Sequence, residues 1–256
     1  MKKFVIFLGL ISVILLSGCA TYYNPVTGKQ ETTVYTEQDE IDMGIALDKK
    51  ICSQFKIVEN PEKVFSGFTS ICARVARNND RSHLNYTFRV IENKEVNAFS
   101  IPGGFVYVYT GLLKQISSPD ELACIVGHEI GHICNRDGVH RLEKQILYSI
   151  PASILLGSGR QKAIQQVADT VFTLSMLKYS RDQEIEADTL GMTYAYRAGF
   201  NPEGMISFFK KMEELEKNQP SIPLTFLRDH PETKERIKNA QLVVNRLKQE
   251  KSEVRQ

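Results

Sequence analysis

The stretch IVGHEIGHICN, residues 125–135, holds two of the chain's five histidines, four positions apart, with a glutamate directly after the first. Upstream of it, Ser118-Pro119-Asp120-Glu121 supplies a capping serine, a proline at the first helical position and a glutamate at the third, so the stretch lies inside a helix. At about 3.6 residues per turn, His128 and His132 stack on one face, while Glu129 is rotated by about 100° and reaches a ligand bound beside them. Two neutral imidazoles so spaced can hold Zn²⁺, and a carboxylate next to the ion can take a proton from its water.

A catalytic zinc usually takes three protein ligands and keeps one position open, so a third ligand is expected elsewhere. The stretch YSRDQEIEADTLG, residues 179–191, carries a second capping signature, Ser180 with Gln183, and its helical run ends at Gly199. Glu184 and Asp188 share one face of that helix, whereas Glu186 points about 200° away from Glu184. Glu184 is therefore the expected ligand, and Asp188 the carboxylate that holds the far nitrogen of a liganding histidine. Glu186 competes for the ligand role, and His140, in a turn after Asp137-Gly138, is the fallback. The other reading of this helix is an acidic solvated face, which Ala187 and Leu190 oppose by making it at least half buried. His83 and His140 otherwise read as surface or local hydrogen-bonding residues.

Around these motifs, 256 residues with 42% hydrophobic content suffice for one domain with a core of its own. The formal charge of +2 comes from Lys2 and Lys3; without residues 1–18, 30 basic side chains face 30 acidic ones, and no nucleic-acid partner is implied.

Those first residues read as an export signal: Lys2 and Lys3, an apolar run from Phe4 to Leu16, then Leu16-Ser17-Gly18-Cys19. The run is 13 residues, short of the roughly 20 a spanning helix needs. The residues ahead of Cys19 resemble a bacterial lipobox, which implies lipid on Cys19 and a domain held on a membrane surface without crossing it. Ala20 after the cysteine resembles Gram-negative lipoproteins sorted to the periplasmic face of the outer membrane. The expected organisation is a signal peptide over 1–18, a lipidated tether over 19–36, a catalytic domain over 37–250 and a charged tail over 251–256. An exported location permits disulfides, with Cys52 and Cys72 the candidate bridge, although all four remaining cysteines read equally as small buried hydrophobes. Cys124 and Cys134, ten residues apart on one helix, stand about 15 Å apart and cannot pair.

The polar segment TYYNPVTGKQETT reads as an ordered turn or a tether. Helices are expected over 37–56 and 61–77, from Ile41, Ile45, Leu47 and Ile51 and from Val64, Phe68, Ile71 and Val75. Short strands are expected at 86–91, 96–100 and 105–109, with Pro102-Gly103-Gly104 as the break. Between the two metal motifs lies the segment 147–177; the apolar patch ILYSIPASILLG, residues 146–157, reads as a lid or a membrane-facing helix, and Ile164, Val167, Val171 and Leu174 at amphipathic spacing read as core packing. A last helix is expected over 231–250.

HEIGH followed about fifty residues later by SRDQEIEAD, preceded by NAFSIPGGFVYVYTGLL and followed by DHPETKERI, resembles the HtpX and CAAX-prenyl-protease type of zinc metallopeptidase. With NPVTG after a lipobox, the chain is similar to the short bacterial lipoprotein members of that family, related to BepA and the mitochondrial Oma protease. The resemblance implies a minimal gluzincin domain, α+β and mostly helical, with a small β-sheet whose edge strand lines the active-site cleft. It also implies one zinc per chain and cleavage of misfolded or misassembled cell-envelope proteins. Asn97-Ala98 matches the pair that lines the cleft in thermolysin-like relatives, and an edge strand with unpaired amides is a receptor for an extended peptide. Gly103 and Gly104 would let backbone approach closely, or make a plain hairpin turn. His230, before Pro231 at an expected helix start, fits an oxyanion donor, a plug in the open zinc position, or a helix cap without reach to the metal. The rival class is a zinc-containing lipoprotein acting as a holdase or assembly partner, whose mark would be a missing Glu129 or an incomplete ligand set.

Overall fold

The computed structural model describes residues 20–149, 179–218, 223–230 and 233–253. Strands β1 (Ala20–Asn24) and β2 (Lys29–Thr33) pair antiparallel, so the polar segment after Cys19 is an ordered hairpin. Asn24 builds its turn, with Oδ1 accepting from the backbone N–H of Val26 and Thr27.

Helix α1 (Glu37–Gln54) starts at a capping box between Thr36 and Asp39. The single helix expected over 61–77 is instead a 3₁₀ turn, Pro61–Lys63, and helix α2 (Phe68–Ala76). Gly67, at φ 85°, breaks the run. Glu62 then caps α2 by accepting from the N–H of Gly67 and Thr69 at 2.6 and 2.8 Å, which favours two segments over one.

Strands β3 (Thr87–Ile91), β4 (Ala98–Ile101) and β5 (Phe105–Tyr109) form a sheet in the order β3-β5-β4, with β3 parallel and β4 antiparallel to the central β5. β4 is thus an edge strand. Val96, expected in it, pairs elsewhere: its N–H donates to the Pro223 carbonyl and its own carbonyl accepts from Phe226.

After the short α3 (Thr110–Leu113), helix α4 (Pro119–Cys134) begins at Ser118, whose side chain accepts from the Glu121 N–H. α4 is buried from Glu121 to Cys134. Ile125, Val126 and Ile130 are fully enclosed, each contributing about 1.5–3 kcal/mol of apolar burial. One core packs α4 against α2, α6 (Arg181–Arg197), α7 (Glu203–Asn218) and α9 (Thr233–Glu253), while a smaller one lies between α1 and the opposite sheet face. Helix α5 (Asp137–Ser149) follows α4 directly, and α8 (Thr225–Asp229) precedes α9. The fold is α+β and mostly helical.

Cys52 and Cys72 are free thiols, as are Cys124 and Cys134, so the candidate bridge is not made; Cys72, Cys124 and Cys134 pack as buried hydrophobes. No helix among the described residues is long and apolar enough to cross a membrane. The export signal, Cys19, most of the 147–177 segment, Pro231 and the last residues of the tail lie outside the described residues.

Candidate metal centre

The site exists because two helices touch through glycine. A Cβ built on Gly191 of α6 would lie 2.4 Å from the His128 backbone nitrogen, and one on Gly127 of α4 would lie 2.5 Å from the Gly191 carbonyl oxygen. Only hydrogen fits at both positions, and this close crossing sets Glu184 and Asp188 of α6 against the histidine face of α4.

The Nε2 atoms of His128 and His132 are 3.1 Å apart, and His230 Nδ1 lies 3.3 Å from His128 Nε2. Glu184 closes the group: Oε1 stands 2.8 Å from His230 Nδ1 and 3.6 Å from His132 Nε2, and Oε2 is 3.6 Å from His128 Nε2. One ligand atom from each of the four residues lies within 4.8 Å of all the others, and all four residues are buried.

The other nitrogen of each α4 histidine is already engaged. His128 Nδ1 is 2.9 Å from Asp188 Oδ1, and His132 Nδ1 is 2.7 Å from Asp137 Oδ2. In the neutral rings, with Nδ1–H given to a carboxylate, each Nε2 presents a lone pair to a shared cation; in the metal-free protein a proton on His132 can bridge the two nitrogens at 3.1 Å. Both oxygens of Glu129 are buried without a hydrogen-bond partner, beside this cluster. Three imidazole nitrogens, one carboxylate and an orphaned second carboxylate form a donor set that fits a divalent metal, with zinc among the ions that prefer it.

One guanidinium faces both α6 carboxylates. Arg236 of α9 donates Nε to Asp188 Oδ2 and Nη2 to Asp188 Oδ1, each at 2.7 Å, while Nη1 reaches the His230 carbonyl at 2.9 Å and Glu184 Oε2 at 3.1 Å. Burial pushes both carboxyls up, but His230 and Arg236 more than offset this at Glu184, and Arg236 does so at Asp188, so both stay below the usual carboxylate range. Burial likewise holds His128 below its ordinary value. His132 goes the other way: burial opposes its charging, yet Asp137 and Glu184 push it up to about 10 in the metal-free protein.

Glu129, His128, His132, Glu184, Asp188 and His230 therefore converge. Glu186 is exposed and outside the cluster. His140 contacts Glu143 and Glu31, and the exposed His83 contacts Glu37, so both serve locally. His230 follows α8 and donates its N–H to the Phe226 carbonyl. Asn97 sits at the start of β4 with Nδ2 on Asp229 Oδ2 at 3.0 Å, which ties the strand to the segment bearing His230.

Gly103 and Gly104 lie in the turn between β4 and β5. Both have positive φ, and their close approaches are to the protein's own backbone: Gly103 to Glu40 and Ile41, Gly104 to Asn85. They make the β4–β5 turn and its seat on α1.

Asp137, Arg236 and Tyr179 belong to the site without having been singled out by spacing, and Gln183 was expected only as a helix cap. Gln183 Nε2 donates to Asp137 Oδ1 at 2.7 Å, and the Tyr179 ring stacks on His132 with centroids 3.9 Å apart. Arg236 lies inside the DHPETKERI segment, where nothing distinguishes it from neighbouring charges; its role depends on α9 crossing α6.

Residues 63–243 match the family model described as Peptidase family M48. The mitochondrial metalloendopeptidase OMA1 of Arabidopsis thaliana is 31% identical over 161 residues, covering 61% of this chain and 32% of that protein. The beta-barrel assembly-enhancing protease of Yersinia pestis is 27% identical over 186 residues, 68% of this chain and 38% of its own length. The Escherichia coli (strain K12) protein of that name is 25% identical over 236 residues, 88% of this chain and 47% of its own. The chain thus spans about a third to a half of the length of these curated relatives.

Proposed function

Since the chain belongs to peptidase family M48, we propose that it is a zinc-dependent endopeptidase that hydrolyses peptide bonds in misfolded or misassembled envelope proteins. The observation that carries the reading is Glu129: a carboxylate with no exposure and no hydrogen-bond partner for either oxygen, held next to three imidazoles and Glu184. Such a group is costly to bury unless a bound water or ion gives it work.

His128, His132 and Glu184 are the proposed ligands of one zinc. When bound, the ion supplies Lewis acidity to a scissile carbonyl and to a water. Glu129 takes the proton of that water and returns it to the leaving amine. Asp188 and Asp137 fix the tautomers of His128 and His132. His230 stands among the ligand atoms, with Nε2 3.8 Å from Glu129 Oε1, which favours its filling the open position and keeping the enzyme latent. As an oxyanion donor it would use Nε2, the nitrogen that is not on Glu184.

We propose β4 as the strand with which an extended substrate pairs, although its four residues are buried. The Asn97 carbonyl accepts from Tyr109, so by the antiparallel register the main-chain groups of Ala98 and Ser100 point away from β5. We place the substrate backbone there, below the stretch of Val96 occupied by Pro223 and Phe226. The lipobox-like residues before Cys19 support anchoring to the periplasmic face of the outer membrane.

The test compares wild type with Glu129→Gln for zinc content and cleavage of an unfolded protein such as casein. The expected result is one zinc in each and cleavage lost in the variant. Zinc in both with cleavage by neither, persisting in His230→Ala, would favour the holdase alternative. Absence of zinc from both would remove the ligand assignment.

A further inference from the structure

The aim of His132 depends on Asp137, the first residue of α5, which holds its Nδ1 at 2.7 Å. Asp137 in turn depends on Arg136, the residue on which the chain turns out of α4. Arg136 has φ 55°, the one non-glycine residue with positive φ among the described residues. A side chain in that conformation persists only where its surroundings over-determine it.

Those surroundings are the N-terminal hairpin and the chain leaving it. Arg136 is 1% exposed and its guanidinium lies over the Tyr22 ring of β1, 4.5 Å from the centroid. It donates Nη2 to the Tyr35 carbonyl at 2.8 Å and Nε to Glu40 Oε2 at 3.0 Å. Two turns along α5, Glu143 accepts from Thr33 Oγ1 at 2.5 Å and from the Val34 N–H at 2.9 Å, and His140 Nε2 lies 3.6 Å from Glu31. The stretch from Arg136 to Glu143 is therefore held at both ends by residues 22–35.

We infer that the β1–β2 hairpin is a positioning element of the metal centre: by seating Arg136 it sets Asp137, and through Asp137 the orientation of His132. The inference rests on His128, His132 and Glu184 being the ligand set. Removing the Tyr22 ring takes away the surface on which the buried guanidinium lies, so the left-handed turn relaxes and Asp137 moves relative to His132. Loss of an outer partner of a metal-bound histidine typically weakens metal affinity about 10–100-fold. Because Ala20 follows Cys19 directly, the hairpin is also the path by which attachment at that cysteine would act on the centre.

The experiment uses the full chain in detergent, with Zn²⁺ affinity measured by competition against a chromogenic chelator and the absorption spectrum recorded after loading with Co²⁺. Tyr22→Ala is expected to weaken Zn²⁺ binding about 10-fold and to change the Co²⁺ bands, as does Asp137→Asn. Tyr22→Phe, which keeps the ring, retains wild-type values, and Glu143→Gln shifts both readouts in the same direction as Tyr22→Ala. Wild-type affinity and spectrum in Tyr22→Ala and Glu143→Gln, with Asp137→Asn impaired, would overturn the inference. Should circular dichroism show that Tyr22→Ala does not fold, Glu143→Gln decides by the same criterion. Unchanged binding in His132→Ala would instead remove the ligand set on which the inference stands.

Discussion

Asp188 holds the far nitrogen of His128 at 2.9 Å while Arg236 grips both of its oxygens at 2.7 Å each. One fork thus steadies a ligand's partner, and its remaining arm reaches Glu184 and the His230 carbonyl. Replacing Arg236 by methionine strands two buried carboxylates, and the metal-free protein should lose about 3–5 kcal/mol in urea unfolding. Arg236→Lys should recover little, because a single ammonium cannot fork across a carboxylate. Wild-type stability in either variant contradicts this account.

His132 sets the pH behaviour of metal binding. Its pKa in the folded, metal-free protein is about 10, above the ordinary 6.5, so its contribution to stability is complete below pH 6.5 and drains away as pH rises through about 10. A metal needs the neutral ring, so binding at pH 7 should expel close to one proton from His132, and affinity should rise with pH across that window. His128, held below its ordinary value by burial, contributes none. Calorimetry in two buffers of different ionisation enthalpy measures the proton count; a count of zero contradicts the prediction.

The helix crossing gives a steric prediction. Gly191→Ala drives a methyl against the His128 backbone nitrogen, 2.4 Å away, and should cost at least about 1–3 kcal/mol and reduce bound metal. Gly138→Ala meets only Pro102 at 3.5 Å and lies within α5, so it should be neutral or slightly stabilising. Thermal melts and metal content of the two variants, side by side, decide it.

Since all four described cysteines are free thiols, reductant should leave the melting temperature unchanged. A fall of several degrees on adding dithiothreitol would show a disulfide that this structure does not contain.

The two metal motifs were legible because each carries its own chemistry in local periodicity. Ser118 and Ser180 start their helices where capping signatures place them, and four-residue spacing stacks His128 on His132 and Glu184 on Asp188. The helix expected over 61–77 failed for an equally local reason that spacing does not weigh: Gly67 offers a turn, and Glu62 a cap for the shorter helix that begins at Phe68. Gly103 and Gly104 were visible as glycines that tolerate close approach, but the backbone that approaches Gly103 is decided by α1 packing under the turn.

The sequence by itself determined which candidate ligands and which carboxylate fall together, because residue type and helical period suffice to put His128, Glu129 and His132 on one stretch of helix. Tertiary structure alone decided that His230, about a hundred residues later, points among the same ligand atoms, that Arg236 faces the α6 carboxylates, and that a hairpin at the other end of the chain seats Arg136. Charges and rings of that kind recur along the whole chain, and only burial, which removes water as the competing partner, selects the few whose positions must match.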